Sequence, residues 1–246
     1  MGVKQKRVVF LSQFGMPGSY DPAIFSDAPG GDDEGHWIGL QLAGLGLTDR
    51  IAYSSRRICH GALPPEPEEA DIAILGGSLH SVQDDLPYQR RLKDWFARWR
   101  AAGRPLFGIC GGHQLMAHWQ GAPVDRVPDG PVCATETIRL TQAGRSHPLF
   151  AGLESSELDF HFGNYERVAR LPDGAVLLAE RPDLPAMAVD HGAGWWSVQF
   201  HPEADRDIFV MSWGDKGPGF RHNYRPVPRS TQLLRNFLLS CGVSEA

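Results

Sequence analysis

Pro105-Leu106-Phe107-Gly108-Ile109-Cys110-Gly111-Gly112-His113-Gln114-Leu115 is a short apolar run that opens into glycines on either side of a cysteine. Pro105–Ile109 reads as a buried strand. The Gly-x-Cys-x-Gly spacing behind it has the form of a nucleophile elbow, a sharp strand-to-helix turn. A side chain at such a turn needs a strained backbone, and small flanking residues remove clashes on both sides. The turn also puts Cys110 at the N-terminus of the following helix, where free N–H groups and the helix dipole favour the thiolate. Cys59, Cys133 and Cys241 lack these flanks and read as small buried hydrophobes.

The same alternation of apolar run and helical pattern extends upstream. Asp71–Leu75 is a buried-type strand that ends abruptly at Gly76-Gly77. Asp84 or Asp85 is expected to cap the next helix, with Pro87 in its first turn. Leu92, Trp95, Phe96 and Trp99 then fall at i, i+3, i+4 and i+7, a single apolar stripe for core packing, and Gly103 and Pro105 end the helix. Nearer the N-terminus, Arg7–Ser12 and Ile51–Ser54 read as strands flanking a helix at His36–Gly46. This is the rhythm of a parallel α/β sheet. After Gly121 it changes: Thr135–Thr141, Glu157–Phe160, Ala175–Ala179, Ala186–Asp190 and Trp195–Phe200 look like strands joined by short loops, as in an antiparallel extension. A helix at Thr231–Leu239 follows. No charged, Gly- or Pro-rich linker divides the chain, so one domain over residues 1–246 is expected. The long loops Gln13–Gly35 and Gly214–Arg229 are candidate lids.

Composition narrows the function. The net charge of −5 gives no basic face for nucleic acid. The most basic stretch, Gln89–Lys93, lies on the solvated side of the helix just described. No run approaches the roughly 18 apolar residues of a membrane span. Val8–Leu11 is too short for a signal peptide's apolar core of about 7–15 residues. The 4 cysteines are scattered with no C-x-x-C pair, which argues against a disulfide framework or a zinc site and for a reducing, cytoplasmic setting. There is no H-E-x-x-H, and His113 and His118 lie on different sides of a helix. Neither a metal nor a cofactor is expected.

A thiolate nucleophile needs a histidine to carry the proton and a third group to fix the imidazole. Gln199-Phe200-His201-Pro202-Glu203 offers both. Pro202 biases His201 toward an extended conformation, and in extended chain residues i and i+2 share a side. His201 and Glu203 are therefore expected to converge, one imidazole nitrogen on the carboxylate and the other facing sulfur.

Taken together, these residues resemble the class I glutamine amidotransferase family, whose signature pairs a G-x-C-x-G-x-Q elbow with a downstream H-P-E. Both stand here, 91 residues apart (201 − 110). The resemblance runs from Ile72 to about Asp205 and is similar to the glutaminase domain of GMP synthetase. It implies a flavodoxin-like open, mostly parallel sheet with helices on both faces. It also implies catalytic roles for Cys110, His201 and Glu203, oxyanion N–H donors from Gly77 and Gly111, and a substrate-holding role for Gln114. Asn164-Tyr165-Glu166-Arg167-Val168 aligns with the family's H-G-D-x-V, whose aspartate binds the substrate's α-ammonium; here the acid is Glu166. Ser78 stands where a proline is common.

The reaction this implies is cleavage of a γ-glutamyl amide through a cysteine thioester, with a small γ-glutamyl molecule as substrate. Three readings remain open. One is a free-standing hydrolase releasing an amine, which the aromatic residues and long loops favour. Another is a glutaminase subunit feeding ammonia to a separate synthase or ligase. The third is a non-catalytic binding or regulatory protein on the same fold, against which the intact triad argues. An α/β-hydrolase would place its acid before its histidine, the reverse of the order here.

Overall fold

The structure is a computed structural model that describes residues 5–182, 184–213 and 218–245. In chain order its strands are β1 (Lys6–Ser12), β2 (Ile51–Arg57), β3 (Ile72–Leu75), β4 (Leu106–Ile109), β5 (Val124–Arg126), β6 (Val132–Leu140), β7 (Glu157–Asn164), β8 (Glu166–Val168), β9 (Val176–Glu180), β10 (Ala188–Asp190) and β11 (Trp195–Val198). The helices are α1 (Glu34–Gly44), α2 (Pro87–Ala101), α3 (Gly111–Trp119), α4 (Gln142–Ser146), α5 (Arg206–Met211) and α6 (Gln232–Ser240).

Nine strands form one sheet in the order β2-β1-β3-β4-β11-β10-β9-β6-β7, and β5 and β8 form a separate antiparallel ribbon. The strands β2, β1, β3, β4 and β11 are mutually parallel, the doubly wound arrangement whose ligand crevice lies beyond the carboxyl ends of the strands. β3 and β4 are buried along their whole length, as expected of central strands covered on both faces. Alternation along β1 sends Val8 and Phe10 into one core with residues of α1 and α6, and Val9 and Leu11 into the other with residues of α2 and α3. The antiparallel extension is present but begins one strand later than expected. β11 adds parallel to β4, and β10 is the first to reverse. That choice brings the chain after β11 out beside the elbow after β4.

On α2 the expected stripe is wholly buried: Leu92, Trp95, Phe96 and Trp99 have no exposure. The indole N–H groups of Trp95 and Trp99 donate to the carbonyls of Pro65 and Pro105 at 2.6 and 3.0 Å, so their burial leaves no orphan donor. The cap differs from expectation. Asp84 closes a 3₁₀ turn begun at Ser81, and Asp85 has a left-handed backbone (φ 47°) that reverses the chain. The helix therefore starts from Leu86, whose N–H is met by the Gln89 side chain at 2.8 Å, while the Asp85 carboxylate pairs with Arg90 and Lys93.

The segments expected as long loops are not structureless. Residues 13–35 contain a 3₁₀ turn at Pro22–Phe25 and the start of α1. Asp32 ties this stretch to β2, accepting from Arg57 at 2.8 Å and from the Tyr20 hydroxyl at 2.6 Å. Residues 218–229 contain a 3₁₀ stretch at Pro218–Asn223, and 214–217 lie outside the described residues. No helix among the described residues is long and apolar enough to cross a membrane.

Candidate active site

Cys110 stands between β4 and α3 with φ 49° and ψ −104°, a backbone conformation that L side chains rarely adopt. The glycines after it are there for close approach. A Cβ on Gly111 would lie 2.6 Å from the Ser78 nitrogen, and one on Gly112 would lie 2.4 Å from the Leu75 carbonyl oxygen. Without side chains the elbow presses directly onto the turn after β3. The contact is fastened by Gly112 N–H donating to the Gly76 carbonyl at 3.1 Å, an oxygen that also accepts from the Gln13 amide at 2.9 Å.

Gly77 lies where this turn faces the site. A Cβ on it would come 3.8 Å from Cys110 Cβ and 3.1 Å from His201 Cε1. The sequence-expected donors Gly77 and Gly111 thus flank Cys110, as parallel β3 and β4 require of the turns at their carboxyl ends.

His201 follows β11 and meets Glu203 through an Nδ1···Oε1 hydrogen bond of 2.7 Å. The convergence expected of i and i+2 is present, although the chain turns at Pro202 rather than continuing as strand. The His201 N–H donates to the His161 carbonyl of β7 at 2.9 Å, and the imidazole packs on the Phe209 ring of α5, 4.8 Å between centroids. Burial alone would push His201 toward its neutral form. The negative charges of Glu203 and Cys110, and hydrogen bonding to both, outweigh it and hold the imidazole well above its ordinary range. An imidazolium is therefore favoured between a sulfur and a carboxylate. Burial pushes the Cys59 thiol up, and raises Cys133 and Cys241 to about 12.

A cavity of about 450 Å³ opens over these residues. Its wall holds a polar group, Ser81, Asn164 and Glu166 with Arg126 paired to Glu166 across the β5–β8 ribbon, and an aromatic group in which Phe14, Phe25 and Trp37 pack on one another; Tyr165, Phe209 and Trp213 line it as well. Glu166, at the start of β8, accepts from the Ser81 hydroxyl at 2.8 and 3.0 Å. Gln114 lines the cavity, but its amide nitrogen is taken by the frame: it donates to the Glu166 carbonyl at 2.8 Å and to Gln199 Oε1 at 3.0 Å. Among the described residues the cavity takes its wall from 13–35 and from α1 and α5, and nothing from 218–229.

Gln199 and Glu34 are among the side chains here that escaped the sequence reading. Gln199 donates to Cys110 Sγ at 3.7 Å and is wholly buried; its signal was a lone amide in the apolar run Trp195–Phe200. Glu34 is buried against the turn after β3, and nothing distinguishes it in sequence from an ordinary acid in a helix's first turn. No group of three or more metal-ligating side chains comes together among the described residues.

Residues 53–209 match the family model described as glutamine amidotransferase class-I. The chain is 34% identical over 142 residues to a γ-glutamyl-L-1-hydroxyisopropylamide hydrolase from a Pseudomonas species, a match covering 54% of this chain and 47% of that protein. It is 32% identical to the glutamine-hydrolysing GMP synthase of Thermomicrobium roseum over 70% of this chain and 27% of the synthase. The match therefore spans about half the length of the first relative and about a quarter of the second. A glutamine amidotransferase structure from Thermotoga maritima superposes with a TM-score of 0.75 at 16% identity, covering 98% of this chain and all of that one, and establishes the likeness of fold. With its parallel sheet, its cysteine elbow and this match across more than half its length, the chain belongs to the class I glutamine amidotransferase family.

Proposed function

We propose that the chain hydrolyses γ-glutamyl amides of amines, with Cys110 as nucleophile, His201 as proton carrier and Glu203 as the group that orients and charges the imidazole. The observation that most supports this is the His201 imidazole held between Glu203 and Cys110 in one buried cavity. The Cys110 thiolate attacks the δ-carbonyl carbon, and the oxygen takes up negative charge facing the N–H groups of Gly77 and Gly111. As the intermediate collapses, His201 gives its proton to the departing nitrogen and a thioester remains. Water then attacks the thioester, losing a proton to His201. The second intermediate expels the Cys110 thiolate and releases glutamate, leaving His201 protonated as at the start.

The polar group in the cavity wall suits the glutamyl moiety, with Glu166 meeting the α-ammonium and Arg126 the α-carboxylate. Gln114 acts by anchoring the β8 backbone that carries Glu166. The aromatic group of Phe14, Phe25 and Trp37 suits an amine larger than ammonia, and residues 13–35 form its lid within a single domain. Similarity to a γ-glutamyl amide hydrolase points the same way. The second reading, ammonia delivery to a separate synthase, draws on similarity to a glutamine-hydrolysing GMP synthase. Kinetics of the purified chain on glutamine, a γ-glutamyl alkylamide and γ-glutamyl anilide separate them. Partner-free turnover of the substituted amides is expected, and turnover of glutamine alone would reject the first reading.

A further inference from the structure

The geometry points to Glu34 as a second acid of the reaction cavity that must stay neutral for turnover, because it rests against the Gly76–Gly77 turn and shares the cavity with His201 and Glu203. The inference rests on the thioester reading above and adds a residue and a pH dependence to it. Glu34 opens α1, and its side chain turns inward. Its Oε2 accepts from the Ser12 hydroxyl at the end of β1 at 2.7 Å. A Cβ built on Gly76 would lie 3.0 and 3.2 Å from its two oxygens, so the carboxyl abuts the turn that presents Gly77.

The groups that face Glu34 are mostly anionic or become so. Glu203 and Asp33 oppose its ionisation, while His201 and the Ser12 hydroxyl favour it. From the β2 side Tyr53 and Cys59 feel it too: burial is the main cause of their raised values, and negative charge on Glu34 raises both further. The N-terminus of α1 also favours the anion. Burial outweighs these favourable contacts and lifts Glu34 to about 8. In its neutral form Glu34 leaves Glu203 as the single carboxylate opposite His201, and puts no charge behind the oxyanion turn. Once ionised, it sets a negative charge against that turn just where the reaction develops one.

The test compares kcat/KM of the full chain and its Glu34→Gln variant on a γ-glutamyl alkylamide across neutral to alkaline pH. The amide of Gln keeps the size of the acid and cannot ionise. Wild type is expected to lose about tenfold by one pH unit above the Glu34 midpoint, mainly in kcat. The variant is expected to hold its neutral-pH rate through that interval while wild type falls. Superimposable profiles would overturn the proposal, as would a variant equally impaired at every pH, which marks a packing role. Should the variant fail to fold, carbon NMR of wild type labelled at glutamate carboxyls decides. One carboxyl titrating near pH 8 is expected, and all of them titrating in the ordinary acidic range would overturn it. A wild type inactive on every γ-glutamyl amide would instead reject the thioester reading itself.

Discussion

Replacing Glu203 with Gln separates orientation from chemistry at the proposed site. The carboxylate holds His201 Nδ1 at 2.7 Å in a buried setting and carries the charge that overcomes imidazole desolvation. A hydrogen bond to a charged group contributes about 1.5–3 kcal/mol, and each 1.4 kcal/mol or so on the barrier is tenfold in rate. Glu203→Gln is therefore expected to lower kcat about 10- to 150-fold, since the Gln carbonyl can still accept from Nδ1. His201→Ala removes the proton carrier and is expected to lose on the order of 10⁴. The charge change also moves a titration. With Glu203 replaced by a neutral amide, one of the two charges that offset burial is gone and His201 loses its proton at lower pH, so the imidazolium persists over a narrower range. The assay is single-turnover release of amine from a γ-glutamyl alkylamide, run for both variants across pH and checked by circular dichroism for folding. A Glu203→Gln variant less active than His201→Ala, or indistinguishable from wild type, would refute the assigned roles.

Cys110→Ala or Cys110→Ser should abolish turnover while the fold persists, and a γ-glutamyl chloroketone should label Cys110 and spare the buried, raised thiols of Cys133 and Cys241, read by mass spectrometry. Gly111→Ala drives a methyl to 2.6 Å from the Ser78 nitrogen, separating the elbow from the turn after β3. A kcat loss on the order of 10²–10³ is expected with the thermal midpoint lowered by about 2–12 °C, as roughly 1–3 kcal/mol of overpacking gives. Glu166→Gln should raise KM sharply with a smaller loss in kcat, measured by steady-state kinetics, because a buried ammonium without its anion costs several kcal/mol in binding rather than in the chemical step. The raised Glu34 carboxyl keeps its proton in the folded chain after the unfolded chain has lost it. Its contribution is thus fully present in acid and is lost as pH rises from the ordinary carboxylate range toward about 8. The melting temperature of Glu34→Gln relative to wild type should accordingly climb across that window.

What could be read from sequence was whatever lies within one turn of chain. The elbow is legible because its glycines, its cysteine and its strand are consecutive, and α2 because its stripe repeats at the helical period. His201 and Glu203 are two residues apart, so local backbone geometry suffices to bring them together. Tertiary structure decided everything that depends on which strand lies beside which. The parallel placement of β11 next to β4 carries His201 to Cys110 across 91 residues (201 − 110), and no local pattern distinguishes it from the antiparallel strands nearby. The helix cap at Leu86 went unread because the 3₁₀ turn from Ser81 takes up both aspartates first. Gln199 and Glu34 belong to the same class. A polar side chain reveals itself as part of a site only when its surroundings are apolar, and those surroundings come from β1, β3 and α3, brought in by the packing of the sheet rather than by neighbouring sequence.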